Sequence, residues 1–429
     1  MHVANFIQRY PPALGGSEAY FARLSGWLRD RGHQVSVWTS TAFDLSAFWS
    51  HEGKKARAGV NVEDGITVRR YDPSVWFARW HTLKALSLLP MPGWQCLTQA
   101  HSPIMPRMAY DALAFDGPCD LVHASAFPYG WPLRCALKLA RRRKVPFLLT
   151  PFLHIGDPDN PHDKTRRAYT SRPMRYLLAS ADAVFVQTDL ERDVVRRCDI
   201  ADDRIVLQGL GVDPTECTGG NRERARRRWN VGDECVIGHL ATLSKAKGTV
   251  DLLRAARRAW NEGAKFTVVL AGGDIRDFRR FWQDFDCKDR VRVLGPLNDE
   301  EKRDFFVGVD AFCLPSRSDS FGLVLVEAWA NGKPVIAYRA GGPAELIHHG
   351  DDGLLVPCGD LDGLAEAMRL MERSELRESL GTVGRGRIER EFCWEDKLNI
   401  VDATMCGRFS RALETSAKGE SRSPRSFGY

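Results

Sequence analysis

Closely spaced cysteines are missing from this chain. Its eleven cysteines run from Cys96 to Cys406, and no two lie closer together than Cys393 and Cys406. This spacing excludes a Cys-x-x-Cys metal site and a dense disulfide framework. Widely spaced thiols in odd number are typical of a reducing compartment, so we expect a cytoplasmic protein.

Long apolar runs are missing as well. The first residues, 1–7, show no basic region followed by an apolar stretch, so we expect no secretory signal. The longest uncharged window, 85–106, contains four prolines, which would leave backbone groups without partners inside a bilayer. The sequence therefore predicts no transmembrane helix.

The chain also lacks a strong excess of one charge. Lysine and arginine number 61 against 55 aspartates and glutamates, which leaves a formal charge of +6. So small an excess gives no support for nucleic-acid binding. The basic cluster 141–144 suits either a solvated helix end or a membrane patch. Three Asp-x-Asp triplets, at 157–159, 284–286 and 360–362, are what this composition supplies by chance, and we assign no metal.

The common phosphate-binding motifs are incomplete. Gly332-Lys333 is followed by proline, where a P-loop requires serine or threonine. Gly209 and Gly211 begin a Gly-x-Gly-x-x-Gly pattern that has Pro214 at its sixth place. Nucleotide kinase and ordinary dehydrogenase functions therefore lose their main support.

What the chain does contain is material for two domains. With 429 residues and 44% hydrophobic content, it is too long for one compact core and has ample apolar material to fold. Short apolar runs alternate with amphipathic stretches, which is the pattern of parallel strands joined by crossover helices. We predict strands at 3–7, 34–39, 66–70, 121–123, 146–150, 183–187, 205–208, 235–240, 265–271, 291–294, 311–314 and 334–337.

A polar stretch, 215–228, separates the two series of strands. We therefore predict an α/β protein with two Rossmann-like, doubly wound lobes that face a cleft between them. Residues 1–214 form the first lobe and 215–389 the second, and 411–429 form a disordered tail.

The strongest local motif contains Asp319 and Glu327. It follows a predicted strand, and Ser318 or Ser320 can cap the helix that Gly332 ends. That helix would begin at the carboxyl end of the strand, where its free N–H groups face the cleft. The two carboxylates are eight residues apart, which is about 12 Å along a helix axis and suits two ends of a long ligand.

Three further loops follow strands in the same way. Gly15-Gly16 opens the first long helix and Lys247 precedes the helix 250–260, so these loops offer free N–H groups or positive charge to an anion. His154 follows a very apolar strand, where an imidazole can donate a hydrogen bond to a substrate hydroxyl or stabilise developing charge. A turn glycine, a solvated lysine and a histidine bonded to backbone are the structural alternatives, and all remain open at this point.

Taken together, these residues resemble the family 4 glycosyltransferases, which are retaining enzymes of the two-lobe GT-B architecture. The resemblance runs from the loop 15–18 to about Trp394. It is most specific in the segments 319–335, 341–345 and 350–360. It also implies that 390–410 form a helix that returns to the first lobe.

The resemblance implies a nucleotide-sugar donor, GDP- or UDP-linked, held mainly by the second lobe, with the acceptor on the first lobe. It implies no metal and no cofactor beyond this co-substrate. The implied catalytic residues are His154 beside the transferred sugar, Lys247 on the phosphates and Asp319 on the sugar hydroxyls. The implied donor-binding residues are Gly15, Gly16, Thr242, Phe321, Gly322, Leu323, Val324 and Glu327, of which the last matches the residue that binds the ribose.

Two positions depart from the family pattern. Asp319 stands where the family has the first glutamate of its Glu-x7-Glu motif, so its carboxylate reaches one methylene less far. Thr242 stands where the family has an arginine, and this change removes one of two cations from the leaving diphosphate. Either change predicts a different donor geometry, compensation by another basic residue, or reduced activity.

The implied reaction moves a hexose-type sugar to a saccharide or lipid-linked acceptor in polysaccharide or glycolipid biosynthesis. The departing phosphate would take the acceptor proton on the face that the acceptor attacks. No protein nucleophile is then required, which agrees with the lack of a plausible serine or cysteine triad. The alternatives are a nucleotide-sugar epimerase or a phosphorylase on the same architecture, and a binding subunit that has lost catalysis.

The segment 76–89 bears on a membrane partner. It places Trp76 and Trp80 on one side, with Arg79 and Lys84 available for lipid phosphates. Two interpretations remain open, peripheral contact with the inner face of a membrane and an ordinary helix over the acceptor pocket.

Overall fold

The structure is a computed structural model that describes residues 1–157, 160 and 162–420, with side chains through residue 412. The chain forms two α/β lobes, each built on one sheet. The strands of the first lobe are β1 (His2–Phe6), β2 (Gln34–Ser40), β3 (Gly59–Glu63), β4 (Ile66–Tyr71), β5 (Leu121–Ala124), β6 (Phe147–Leu149), β7 (Ala183–Val186) and β8 (Ile205–Leu207). The strands of the second lobe are β9 (Val236–Leu240), β10 (Thr267–Ala271), β11 (Val291–Val293), β12 (Ala311–Leu314), β13 (Val335–Tyr338) and β14 (Gly353–Val356).

Both sheets are doubly wound. The first has the order β3-β4-β2-β1-β5-β6-β7-β8 and the second β11-β10-β9-β12-β13-β14. All neighbours pair in parallel except β3 and β4, which are antiparallel. Ligands of such sheets bind outside the carboxyl ends of the strands, so these ends locate the site.

Helices cover the sheets and link the lobes. The first lobe has α1 (Gly16–Asp30), α2 (Arg79–Leu86), α3 (Pro92–Gln95), α4 (Pro106–Ala114), α5 (Gly130–Arg143), α6 (Lys164–Tyr169), α7 (Arg172–Ser180) and α8 (Asp189–Arg196). The remaining helices are α9 (Pro214–Cys217), α10 (Arg222–Trp229), α11 (Thr249–Asn261), α12 (Arg276–Gln283), α13 (Asp299–Gly308), α14 (Leu323–Ala330), α15 (Pro343–Leu346), α16 (Leu361–Leu370), α17 (Ser374–Glu391) and α18 (Trp394–Glu420). Single 3-10 turns lie at Leu45–Phe48, Asp202–Arg204 and Lys288–Arg290.

Short, continuous apolar runs form strands that are buried on both faces of a parallel sheet. Every residue of β7 and β12 is buried. In the first lobe Phe6 stacks on Trp38, with ring centroids 5.0 Å apart. The interior is therefore packed, and the loops at the strand ends are held on rigid supports.

The chain passes between the lobes twice, near Val212 and near Phe392, and the two connections lie side by side. The N–H of Val212 donates to the carbonyl of Phe392 at 2.8 Å, and a side chain at Gly211 would lie 2.7 Å from the backbone nitrogen of Trp394. Beyond this crossing, α18 lies against the first lobe, where Asp402 is 3.3 Å from the Nε2 of His33. The predicted boundary after residue 214 falls inside α9.

The predicted fold class is confirmed, with some differences in detail. Every predicted strand is present within a few residues, whereas β3 and β14 were not predicted. Helix α18 continues through 411–420, where we expected a disordered tail. Residues 411–420 include good helix formers and contain no proline. Residues 421–429 lie outside the described residues.

Candidate active site

The site lies where the carboxyl ends of the two sheets face each other. Gly15-Gly16 connects β1 to α1, and His154 follows β6 in the first lobe. Lys247 lies between β9 and α11, and Asp319 lies between β12 and α14, in the second lobe. Because β9 and β12 are neighbours in the sheet, their loops emerge side by side.

An ion pair joins the two loops of the second lobe. The Nζ of Lys247 lies 2.7 Å from the Oδ2 of Asp319, and both side chains are largely buried. Burial, the largest single cause, would raise the pKa of Asp319, but Lys247, His154 and the N–H of Phe321 together outweigh it and the net direction is down. Asp319 is therefore ionised at neutral pH.

The lysine loop is fixed by buried hydrogen bonds. His239 donates from Nδ1 to the carbonyl of Cys313 at 2.8 Å, and its Nε2 lies 2.9 Å from the hydroxyl of Thr249. The same hydroxyl accepts from the N–H of Ser244 at 3.1 Å. Gly248 has a φ of 77°, and a side chain there would run into the carbonyl oxygen of Pro315. The backbone of the lysine loop therefore packs directly against the backbone that follows β12.

The aspartate loop is held just as closely by the glycines of the segment 341–345. The N–H of Gly342 donates to the carbonyl of Asp319 at 2.8 Å. A side chain on Gly342 would meet the carbonyl oxygen of Ser320 and lie 2.6 Å from the Cα of Phe321. Gly341, with a φ of 61°, would meet the carbonyl oxygen of Asp319 in the same way.

His154 reaches the second lobe through its Nδ1, which lies 3.0 Å from the carbonyl oxygen of Ser318. A carbonyl can only accept, so Nδ1 carries the proton and the Nε2 of the neutral ring is an acceptor. Burial, followed by the charge of Lys247, lowers the pKa of His154 to about 4. We expected this ring to donate to a substrate or to stabilise charge. The geometry instead leaves an acceptor for a substrate hydroxyl.

Glu327 lies on α14 and presents one carboxylate oxygen without a partner. Its Oε1 accepts from the Nζ of Lys302 at 2.6 Å, whereas its Oε2 is buried with no hydrogen bond. Burial raises the pKa of Glu327, and Lys302 opposes this shift. Such an unpaired buried oxygen is costly unless a donor, such as a ligand hydroxyl, reaches it.

Glu327 also lines a cavity of about 940 Å³. Its walls come from α1, the link between the lobes near residues 211–217, α13, α14 and the start of α18. They include Tyr20, Trp27, Lys302, Leu323, Glu327 and Trp394. Lys247, Asp319 and His154 do not line it. The long ligand that the motif predicts would therefore have one end in this cavity and the other at the ion pair.

The start of α14 differs from the prediction. Neither Ser318 nor Ser320 caps it, because the N-cap is Gly322 with a φ of 92°. The side chain of Asp319 accepts from the N–H of Phe321, so that N–H is already bonded. The free donors of this helix start lie at Gly322, Leu323 and Val324. Asp319 precedes the helix, and the 12 Å helical separation from Glu327 does not apply.

The glycine loop of the first lobe faces α14 across the cleft. A side chain on Gly16 would come within 4.0 Å of the Cδ1 of Leu323. Gly15 is the N-cap of α1, and a side chain there would meet the carboxylate of Glu18. The predicted residues Gly16, Lys247, Asp319 and Glu327 therefore surround the first turns of one helix.

Thr242 is exposed in the loop after β9. Two arginines near the strand ends are candidates to replace the missing family arginine, and both are engaged elsewhere. Arg9 is 2.6 Å from the buried carboxylate of Glu18. Arg317 is paired with Asp251. Both guanidinium groups are thus bonded to carboxylates of their own lobe.

One residue that sequence analysis left without a role is Glu345 on α15. Its two carboxylate oxygens accept from the N–H groups of Asp189 at 2.7 Å and Leu190 at 2.8 Å. These donors open α8 in the first lobe, so an anion of one lobe caps a helix of the other. Nothing in the local sequence reveals a pairing over this separation.

A second such residue is Glu191 on α8. It accepts from the N–H of Leu153 at 2.7 Å and from that of Gln187 at 2.6 Å. Burial raises the pKa of Glu191 to about 8. The carboxyl group holds the loop that carries His154. The hydroxyl of Thr188 accepts from the N–H of Glu191 and caps the same helix. The Thr-x-x-Glu spacing could have predicted this cap from the sequence.

Metal and membrane features were searched in the described part of the chain. There, no group of three His, Cys, Asp or Glu side chains is arranged to hold a metal ion, and Asp159 lies outside that part. Over the same residues, no helix combines the length and the apolar character needed to span a bilayer.

Two doubly wound lobes whose strand ends face one cleft form the GT-B fold. The profile described as "Glycosyl transferase 4-like domain" matches residues 15–211, and that described as "Glycosyl transferases group 1" matches residues 221–387. The chain belongs to this glycosyltransferase family, and it is a transferase.

Individual relatives agree with this assignment. A D-inositol 3-phosphate glycosyltransferase of Saccharomonospora viridis is 31% identical over 97% of this chain and 95% of its own length. Sucrose-phosphate synthase from Thermosynechococcus elongatus shares the fold, with a TM-score of 0.70, 21% identity and coverage of 97% of this chain and 99% of that one. Anabaena Alr3699/HepE in complex with UDP and glucose has a TM-score of 0.68, 18% identity and coverage of 94% and 99%.

The His154 tautomer can be tested by nitrogen NMR of histidine-labelled protein. We expect a neutral ring with a protonated Nδ1 from pH 8 down to about 5, with titration near 4. The folded pKa lies below the ordinary value, so the stability from this residue is present above about pH 6.5 and is lost as the pH falls towards 4. His154→Gln assigns the signal. Titration near pH 6.5, or a proton on Nε2, would contradict the assignment.

The close approach at Gly342 can be tested by Gly342→Ala. The added methyl group meets the backbone of Ser320 and Phe321, so we expect a loss of about 1–3 kcal/mol in the free energy of unfolding and weaker nucleotide binding. Gly386→Ala is the matched control, because nothing lies within 4 Å of a side chain there. Denaturant unfolding measures the free energy of unfolding of both variants. Equal values would show that the loop moves aside without cost.

Proposed function

We propose that the protein transfers a hexose from a UDP- or GDP-linked donor to a saccharide or lipid-linked acceptor, with retention of anomeric configuration. One observation carries this proposal. The Lys247–Asp319 ion pair, the acceptor nitrogen of His154 and the unpaired oxygen of Glu327 all lie around the start of α14. A nucleotide sugar has a charged centre between two hydroxyl-rich ends, and this arrangement matches it.

The donor assignment is supported by known relatives. Alr3699/HepE of Anabaena was solved with UDP and glucose and, separately, with UDP-glucose. In this chain the cavity beside Glu327 would take the nucleoside, with ribose hydroxyls donating to the unpaired Oε2. The diphosphate would lie between the N–H groups at Gly16 and those at the start of α14.

The leaving diphosphate requires stabilisation as its bond to the sugar breaks. Lys247 supplies a cation, and the helix starts at Gly16 and Gly322–Val324 supply N–H donors in a largely buried site. These groups belong to the chain itself, and we propose that they suffice without a metal or a further cofactor.

Asp319 is a poor candidate for a covalent nucleophile. Lys247 and the N–H of Phe321 both hold its carboxylate, and its lowered pKa reduces its basicity. We infer that it orients sugar hydroxyls instead. His154 Nε2 would accept a hydrogen bond from a sugar hydroxyl on the other side.

The proposed step then needs no enzyme-bound intermediate. The acceptor oxygen forms a bond to the anomeric carbon, and the bond from that carbon to the diphosphate oxygen breaks. The bonding electron pair goes to the diphosphate, whose oxygen takes the acceptor proton. Attack and departure on one face of the sugar retain the configuration.

A weakened, donor-binding subunit is a second candidate, because Thr242 replaces a cation and both Arg9 and Arg317 are paired with carboxylates of their own lobe. Tight donor binding without transfer or donor hydrolysis would favour it. Turnover without an acceptor would favour an epimerase, and dependence on free phosphate a phosphorylase. For the cellular setting we propose the cytoplasm, since all eleven cysteines are free thiols.

A thermal-shift panel of UDP, GDP, ADP and their sugar conjugates tests donor binding. We expect one nucleotide class to raise the Tm of the wild type, and Glu327→Ala to lose most of that shift because the cavity loses its acceptor. Glu389→Ala, an exposed glutamate on α17, is the matched control and should keep the full shift. Indifference of the wild type to every nucleotide would contradict the proposal.

Retention is tested by the proton NMR spectrum of the first product formed from an α-linked donor. We expect the anomeric coupling of an α-linked product, because the acceptor attacks the face that the diphosphate leaves. The spectrum must be taken before mutarotation of any free sugar. A β-linked product would show inversion and remove the proposed mechanism.

A further inference from the structure

The 76–91 segment carries an unusual density of exposed apolar side chains. Of the eighteen exposed large apolar residues in the described chain, seven lie here: Trp76, Phe77, Trp80, Leu86, Leu88, Leu89 and Met91. Phe77 is 98% exposed and Leu88 80%. Such a concentration on one surface marks an interaction site, whereas scattered exposed residues do not.

The segment has a fixed shape. Arg79, at the start of α2, is buried and donates to the carbonyls of Ala100 and Ser102. The indole of Trp94 donates to the carbonyl of Leu86 at 2.8 Å. The guanidinium of Arg79 is therefore bonded within the protein and is not available for lipid phosphates. Our expectation for this residue was wrong. The apolar side chains are held outward by this frame.

The segment lies on the first lobe, on the side of the sheet where the carboxyl ends of the parallel strands lie. It follows the carboxyl end of β4, and its base is tied down where the N–H of Ser74 donates to the carbonyl of Ile104 at 2.7 Å. Next to it, Gln99 accepts from the N–H of Gly130 at 2.8 Å, in the connection after β5. The strand ends of this sheet also carry Gly16 and His154, so the surface adjoins the acceptor side.

The charges within the segment and its sequence neighbours have one sign. No aspartate or glutamate occurs from residue 73 to residue 110. Lys84 is exposed on α2, and Lys54 and Arg57 are exposed beyond the carboxyl end of β2, in a loop that also holds Asp44 and Glu52. None of these three cations forms an ion pair with a described residue.

The other basic cluster of this lobe behaves differently. Arg141 donates to the carbonyl of Ser180, and Arg142 donates to that of Phe115. These arginines end α5, which leads away from the strand ends of the cleft. Arg141 and Arg142 therefore stabilise the ends of the neighbouring helices α7 and α4, whereas apolar exposure and an unpaired cation coincide in the 76–91 segment.

We propose that the 76–91 segment docks on a bilayer surface that contains anionic phospholipids. Tryptophan and phenylalanine side chains enter the headgroup region, while nearby lysine and arginine side chains meet lipid phosphates. Docking does not depend on the proposed transfer reaction. Its consequence does rest on that function, since the acceptor side of the cleft would face the membrane, where a lipid-linked acceptor resides.

The test is flotation of the full chain with vesicles of phosphatidylcholine alone or with about 30 mol% phosphatidylglycerol. We expect binding to the anionic vesicles, a loss of about tenfold in the F77S/W80S variant, and a similar loss for Lys84→Glu. I275S/V293S is the matched control, because both residues are exposed apolar side chains on the second lobe. It should bind vesicles like the wild type.

Two results would overturn the proposal. One is that the wild type does not bind anionic vesicles, or that F77S/W80S binds them as well as the wild type does. The other is a second copy as the occupant, shown by self-association that F77S/W80S abolishes while vesicles are not bound. Nucleotide-induced thermal shifts of the same variants separate this outcome from a failure of the proposed function, because none of these substitutions touches the cavity beside Glu327.

Discussion

The ion pair between Lys247 and Asp319 is the contact on which the site depends. It joins the loops of two neighbouring strands, and it keeps a carboxylate ionised in a largely buried position. The lysine has three N–H donors, so it can serve a diphosphate and still hold the aspartate. A glutamate at 319 would extend one methylene further, and the shorter side chain therefore keeps the two charges close to the backbone of their loops.

Backbone contact, more than side-chain packing, places this pair. Gly248 allows the lysine loop to approach Pro315, and Gly341 and Gly342 allow the next loop to approach the backbone at Asp319 and Ser320. Each approach excludes even a methyl group, so the loops have little freedom to move apart independently. The electrostatics of the site thus rest on steric constraints that only glycine satisfies.

Most strands could be predicted from the sequence, because buried parallel strands are continuous apolar runs. The loops of the candidate site could be predicted with them, because they follow the carboxyl ends of these strands. It did not reveal β3, whose Val60 and Val62 are 55% and 72% exposed on an edge strand and so give no buried pattern. It also could not assign the His154 tautomer, which depends on a carbonyl 164 residues away. The serine caps failed because Gly322 adopts the left-handed conformation.

The lobes meet at the site through polar groups. His154 donates to Ser318, Gly341 donates to the carbonyl of Gly156, and Glu345 caps α8. Water can replace each such bond at a net cost of only about 0.5–1.5 kcal/mol, so these three contacts oppose opening of the cleft only weakly. Opening would return His154 to water, and burial is the main cause of its low pKa. Closure therefore keeps the imidazole neutral down to a lower pH, and the bond from Nδ1 to the Ser318 carbonyl leaves Nε2 as the acceptor.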